Sequence, residues 1–173
     1  MIKFGKYYQA ITVFDKQVEF LIKKWYNKTR IIDIITLWSM ECAKPNWDCK
    51  NWTSDIWPMQ INQIHRKEYK HSKKLFDKKK YDELYKYQVE YVNRLIDSYE
   101  KWNCSEEAFE AIWRKKTNEE RFKCIARSYN WSYKKVSYGE LAWIKRNNIK
   151  KYLTKNFSFL IRKNEGTGWK KRF

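Results

Sequence analysis

Apolar residues recur three and four positions apart over much of the chain, the spacing that lines one face of a helix. Val18, Leu21, Ile22 and Trp25 set the first such face. Thr29 then offers an N-cap for a second helix, with Ile31, Ile34, Ile35 and Trp38 on one side. Glu41 stands three residues beyond Trp38 and seven beyond Ile34, so the period carries a carboxylate onto that apolar face. From Pro45 to Asp55 the period is lost, and turn-forming residues mix with tryptophan, as in a loop or short hairpin. Residues 66–80 are crowded with Lys, Arg and His and read as a solvated helix face or a loop. Tyr85, Val89, Val92, Ile96 and Tyr99 predict a long core-facing helix.

Two capping boxes follow. Asn103 with Glu106 would open a helix carrying Phe109, Ile112 and Trp113, and Thr117 with Glu120 another carrying Phe122, Ile125, Ala126 and Tyr129. Tyr129 and Asn130 then fall at a helix C-terminus. A last helix through Leu141, Ile144, Ile149 and Tyr152 runs into a basic, aromatic tail from Lys155 to Phe173. No internal repeat or linker interrupts the chain, so residues 1–173 read as a single domain.

Composition supports the helical reading, because 4 Gly and 2 Pro are too few to punctuate an all-β chain. The formal charge of +18 implies a polyanionic partner, whether nucleic acid, an anionic membrane face or a phosphate-rich bacterial wall. No apolar run approaches the roughly 20 residues that span a bilayer. Met1 to Phe14 lacks the continuous apolar core of a secretory signal, so either export is by another route or the protein starts in a cytoplasm. Cys42, Cys49, Cys104 and Cys124 form no C-x-x-C pair and read as four buried thiols, with a Cys42–Cys49 bridge as the alternative. His65 and His71 lack metal-ligand spacing and belong to the basic surface; no metal and no cofactor is expected.

Glu41 is the residue with chemistry to offer. A carboxyl beside Leu37 and Trp38 loses hydration in its charged form, which should raise its pKa. An acid still protonated near neutral pH is what glycosidic cleavage needs, because the leaving oxygen must receive a proton.

Three segments in order carry a resemblance. The stretch from Ile32 to Glu41 resembles the helix that delivers the catalytic Glu in soluble lytic transglycosylases and related lysozymes of the lysozyme-like superfamily. Ser54 to Asn62, ending in Met59-Gln60-Ile61-Asn62, is similar to their second motif, and Ile125 to Asn130 to their Ala-x-x-x-Tyr-Asn motif. The chain departs from the pattern at Cys42, where the family has Ser, at Trp57-Pro58, where it has Gly, and at Trp131, where a small residue is common.

The resemblance implies a mainly α, lysozyme-like domain with a small β-hairpin near residues 48–62. It implies Glu41 as general acid and later base, with Gln60, Asn62, Tyr129 and Asn130 lining a sugar groove and Tyr129 against the Glu. Met59 and Ile61 are read as packing residues, and Trp47, Trp52 and Trp57 as candidates for stacking on sugar rings. Asp55 is either the second carboxylate of a hydrolysing muramidase or a turn residue, whereas a lytic transglycosylase would need Glu41 alone. The implied substrate is the β-1,4 bond between N-acetylmuramic acid and N-acetylglucosamine in peptidoglycan strands. The missing signal, the compactness and the strong positive charge then suggest a monomeric phage endolysin, held in the host cytoplasm and then drawn to an anionic wall or outer-membrane surface, with a virion-associated or secretion-linked wall enzyme as the variant. A non-catalytic nucleic-acid binder and an inactive wall-binding protein are the alternatives.

Overall fold

The computed structural model describes residues 18–41, 59, 61–104, 117–130 and 136–157. Six helices account for most of them: α1 over residues 18–23, α2 Lys28–Glu41, α3 Arg66–Asp77, α4 Tyr81–Ser98, α5 Asn118–Tyr129 and α6 Val136–Asn156. The protein is mainly α, and the described residues contain no strand. The hairpin expected near residues 48–62 lies largely outside the described residues.

Helix α2 is the axis of the fold. Ile31 through Ser39 are all buried, so the helix is covered on every side by α4, α5 and α6 rather than on one stripe. Its N-cap is Asn27, whose Oδ1 accepts from the Arg30 amide at 2.8 Å. The expected cap, Thr29, lies one residue inside the helix, because Asn27 reaches the free amides a turn earlier. The buried hydroxyls are satisfied within the helix: Thr36 Oγ1 donates to Ile32 O at 2.6 Å and Ser39 Oγ to Thr36 O at 2.9 Å.

Helix α1 buries Val18, Leu21 and Ile22, but Trp25, expected on the same face, is 61% exposed. The helix stops before it. Trp25 adopts φ 63° while its amide bonds Ile22 O and the Tyr26 amide bonds Leu21 O, a Schellman ending. Helix α3 ends the same way at Lys79, φ 56°, with bonds from Lys79 to Phe76 O and from Lys80 to Leu75 O. Both left-handed positions would ordinarily take glycine, which this chain rarely supplies.

The basic stretch after residue 65 is thus helical, burying only Ser72 and Leu75. With α4 it forms a helical hairpin, and α4 buries Leu84, Tyr85, Val89, Val92 and Ile96 along the expected face. Helix α4 runs on into a π-helical turn, Tyr99–Asn103. The helix that Asn103 was expected to open falls outside the described residues. Cys104 follows the turn and is bonded to Cys124 of α5, so two of the four expected thiols are a disulfide. Cys42 and Cys49 lie outside the described residues.

Thr117 and Glu120 make the capping box reciprocally, Glu120 N to Thr117 Oγ1 at 3.2 Å and Thr117 N to Glu120 Oε2 at 2.9 Å. Helix α5 then buries Phe122, Ile125 and Ala126 against α6. Gly139 permits the close approach, since a Cβ there would meet Lys123 O at 3.3 Å.

Helix α6 corrects the sequence reading most. Leu141 and Ile144 are 59% and 58% exposed, and the buried side is instead Ala142, Arg146, Ile149 and Leu153. An arginine occupies the centre of that side because it has a buried partner. Asp33 of α2, 0% exposed, accepts from Arg146 Nε at 2.7 Å and from Arg121 of α5 at 2.8 Å. Arg121 also pairs with Glu100 in the π-helical turn, and Glu100 with Arg30, which reaches Asp97 at 2.6 Å. The ladder joins α2, α6, α5 and α4 through charge rather than through apolar packing alone.

Candidate active site around Glu41

The last turn of α2 points its carboxylate at the start of α6 and the end of α5. Tyr138 Oη donates to Glu41 Oε1 at 2.6 Å, and Asn130 Nδ2 donates to the same oxygen at 3.4 Å. Burial, and after it the Glu41 carboxylate, pushes the Tyr138 phenol well above its usual range. It therefore stays protonated and acts as a hydrogen-bond donor to Glu41.

Asn130 owes its place to the end of α5. It is the C-cap residue, its amide bonded to Ala126 O at 3.1 Å, which turns its side chain toward α2. Tyr129, one residue earlier, sends its hydroxyl elsewhere, donating to Met59 O at 2.6 Å. It is close enough for the carboxylate to matter: burial first, then Glu41, raises its phenol well above the ordinary value. Among the described residues Tyr138 and Asn130 hydrogen-bond Glu41, while the Tyr129 hydroxyl, which the resemblance set against the Glu, bonds Met59 O.

Met59 is held from both sides. Its carbonyl takes the Tyr129 hydroxyl, and its amide donates to the buried Gln88 Oε1 of α4 at 2.9 Å. Met59 and Ile61 are buried, in keeping with the packing role expected for them. Asn62 is exposed and organises the next turn, with Oδ1 accepting from the Ile64 amide at 3.0 Å. Asp55, Trp57 and Gln60, with Trp47 and Trp52, lie outside the described residues.

A cation completes the arrangement. Lys145 of α6 donates from Nζ to Ser39 O at 2.5 Å, near the C-terminal end of α2. Such a charge offsets the negative end of the helix dipole. Burial lowers the Lys145 pKa, and the Glu41 carboxylate works against that lowering.

Tyr138, Lys145 and Gln88 were not singled out from the sequence. Tyr138 and Lys145 are seven apart, and so share a face of α6, but Gly139 and Leu141 beside them gave no sign that this face met Glu41. Gln88 sits on the apolar side of α4 between Tyr85 and Val89. A buried Gln there was the one readable signal, because it must have a partner.

Among the described residues no group of three or more His, Cys, Asp and Glu could hold a metal ion. His65 is half-buried with its ring nitrogen 2.7 Å from Tyr91 Oη, and His71 stacks on Tyr87 with ring centroids 4.2 Å apart. None of the described helices is long and apolar enough to cross a membrane. No protein family, curated protein or solved structure matches this chain.

The arrangement offers one carboxylate at a helix end, oriented by a phenol and an amide from two other helices. That is suited to giving and taking a proton at a fixed point.

Proposed function

We propose that the protein cleaves the β-1,4 bond between N-acetylmuramic acid and N-acetylglucosamine in peptidoglycan, with Glu41 donating the proton to the leaving oxygen. One observation carries the reading: the three segments that resemble the lysozyme-like motifs, far apart in sequence, are joined by hydrogen bonds. Asn130 bonds Glu41, and its neighbour Tyr129 bonds Met59. A carboxylate at a helix end that receives a phenol and an amide from two other helices is what a positioned proton donor needs.

The proposed cycle needs few groups. Protonated Glu41 gives its proton as the glycosidic bond breaks, and the resulting carboxylate is stabilised by Tyr138 and Asn130. The same carboxylate then takes a proton from the incoming nucleophile. In the transglycosylase form that we favour, the nucleophile is the sugar's own 6-hydroxyl and the product a 1,6-anhydro sugar.

Glu41→Gln is the test. The amide keeps the size and still accepts a hydrogen bond from Tyr138, but cannot donate the required proton. Clearing of a peptidoglycan suspension should fall at least a thousandfold while the melting curve stays near that of the wild type. A folded variant with near-normal clearing would falsify the assignment. Mass spectrometry of wild-type products separates the two chemistries: anhydro ends support the single-carboxylate mechanism, and a mass increased by water would instead require a second carboxylate such as Asp55.

A further inference from the structure

The α3–α4 hairpin carries a groove of about 500 Å³ that shares no residue with the Glu41 site, lined by Lys67, Lys70, His71, Lys74, Tyr87 and Arg94. Lys67, Lys70 and Lys74 follow one another at three and four residues, and so stand in a row along one face of α3. The row spans about 10 Å at 1.5 Å per residue. None of the three makes an ion pair among the described residues, whereas lysines of the same hairpin outside the groove do: Lys73 with Asp77 at 2.8 Å and Lys80 with Glu83 at 2.9 Å. Glu68 is the one carboxylate in the lining, against four fixed cations. Like charges brought together in a concavity repel, and they focus a field that draws in anions.

We infer that this groove binds the successive phosphodiester groups of a flexible polyanion, a phosphate-bearing polymer of the bacterial wall, and so holds the protein on its substrate's surface. Three features point to phosphate rather than to nucleic-acid bases. Lysine is a point charge without the planar fork that reads base edges. The one arginine is laid over the Tyr91 ring, 5.6 Å from its centroid. The aromatic pair in the lining, His71 and Tyr87, stacks on itself, which leaves less ring face for a base to cover. The choice of a wall polymer over other polyphosphates rests on the proposed wall-cleaving function, whereas the phosphate chemistry does not.

The test compares two triple variants of equal charge in the full chain. One is Lys67→Gln/Lys70→Gln/Lys74→Gln, within the groove; the other is Lys73→Gln/Lys78→Gln/Lys79→Gln, on the same hairpin outside it. Binding is measured by co-sedimentation with purified walls, with the same walls stripped of phosphodiester-linked polymer by hydrofluoric acid, and with duplex DNA. The wild type should bind intact walls at least tenfold better than stripped ones. The groove variant should lose that preference and the control variant keep it. The slope of log affinity against log salt should fall by about 2 in the groove variant, at roughly 0.7 per lost phosphate contact.

Equal weakening by both variants would overturn the site in favour of general charge. Equal binding of wild type to intact and stripped walls would overturn the ligand. A groove variant impaired on DNA but not on walls would reassign the groove to nucleic acid. Every protein in the comparison, the parent included, also carries Glu41→Gln so that the walls stay intact; groove-dependent binding alongside a wild type that cleaves no wall would remove the Glu41 proposal and leave this one standing.

Discussion

Replacing Asp33 with alanine should be among the most damaging single changes available in this protein, although the residue lies two helical turns from Glu41. Asp33 has no exposed surface, and Arg146, its partner at 2.7 Å, is 5% exposed. Without the carboxylate, Arg146 keeps, among the described residues, the faces of Phe122 and Trp143, 5.0 and 5.3 Å from its guanidinium carbon. Stranding one member of a buried pair costs about 3–5 kcal/mol. At roughly 2–4 °C per kcal/mol for a chain of this size, the melting temperature should fall by about 6–20 °C.

Arg146→Met should cost less, about 1.5–3 kcal/mol, because Asp33 keeps Arg121 at 2.8 Å. Asp33→Ala/Arg146→Met should fall short of the sum of its single changes, since neither charge is then left unpaired and Arg121 retains Glu100. Urea unfolding followed by far-ultraviolet circular dichroism reads all of these. A loss under about 1 kcal/mol in Asp33→Ala, or strict additivity in the double variant, would refute the reasoning. The same pair has a geometric consequence: Asp33–Arg146 and Glu41–Tyr138 are both rungs between antiparallel α2 and α6, eight residues apart on each helix. That separation is about 12 Å. Loosening the first rung should therefore disturb the second.

Three further outcomes are expected. Tyr138→Phe removes the 2.6 Å bond to Glu41 and should lower wall clearing at least tenfold with a stability change near 1 kcal/mol; an unchanged rate in the folded variant argues against a positioning role for Tyr138. Lys79→Gly relieves a left-handed backbone at φ 56° and should raise stability by about 1 kcal/mol, or roughly 2–4 °C, and a lowered melting temperature would contradict it. Cys104→Ser/Cys124→Ser opens a loop closed across 20 residues and should cost about 3 kcal/mol, and the wild type under reducing agent should melt close to the double variant.

The sequence by itself determined what depends on near neighbours. The Thr117–Glu120 capping box, the buried sides of α4 and α5, and the fall of Tyr129 and Asn130 at a helix end all follow from spacings of three or four residues, and the structure repeats them. Periodicity also put Glu41 at the end of a helix carrying Ile34 and Trp38. Thr29 and Trp25 were misread at the margin, where Asn27 and a Schellman turn, themselves local, outcompeted the expected cap and core position. Only the tertiary structure decided which side of α6 is inside. Leu141 and Ile144 are the more apolar choice, yet Arg146 is buried because a carboxylate 113 residues away is buried opposite it. Cys104 with Cys124, Gln88 with Met59 and Tyr138 with Glu41 are decisions of the same kind. Burying a charged or strongly polar side chain without a partner is costly, and the partner's identity is set by how distant helices pack, which no local pattern encodes.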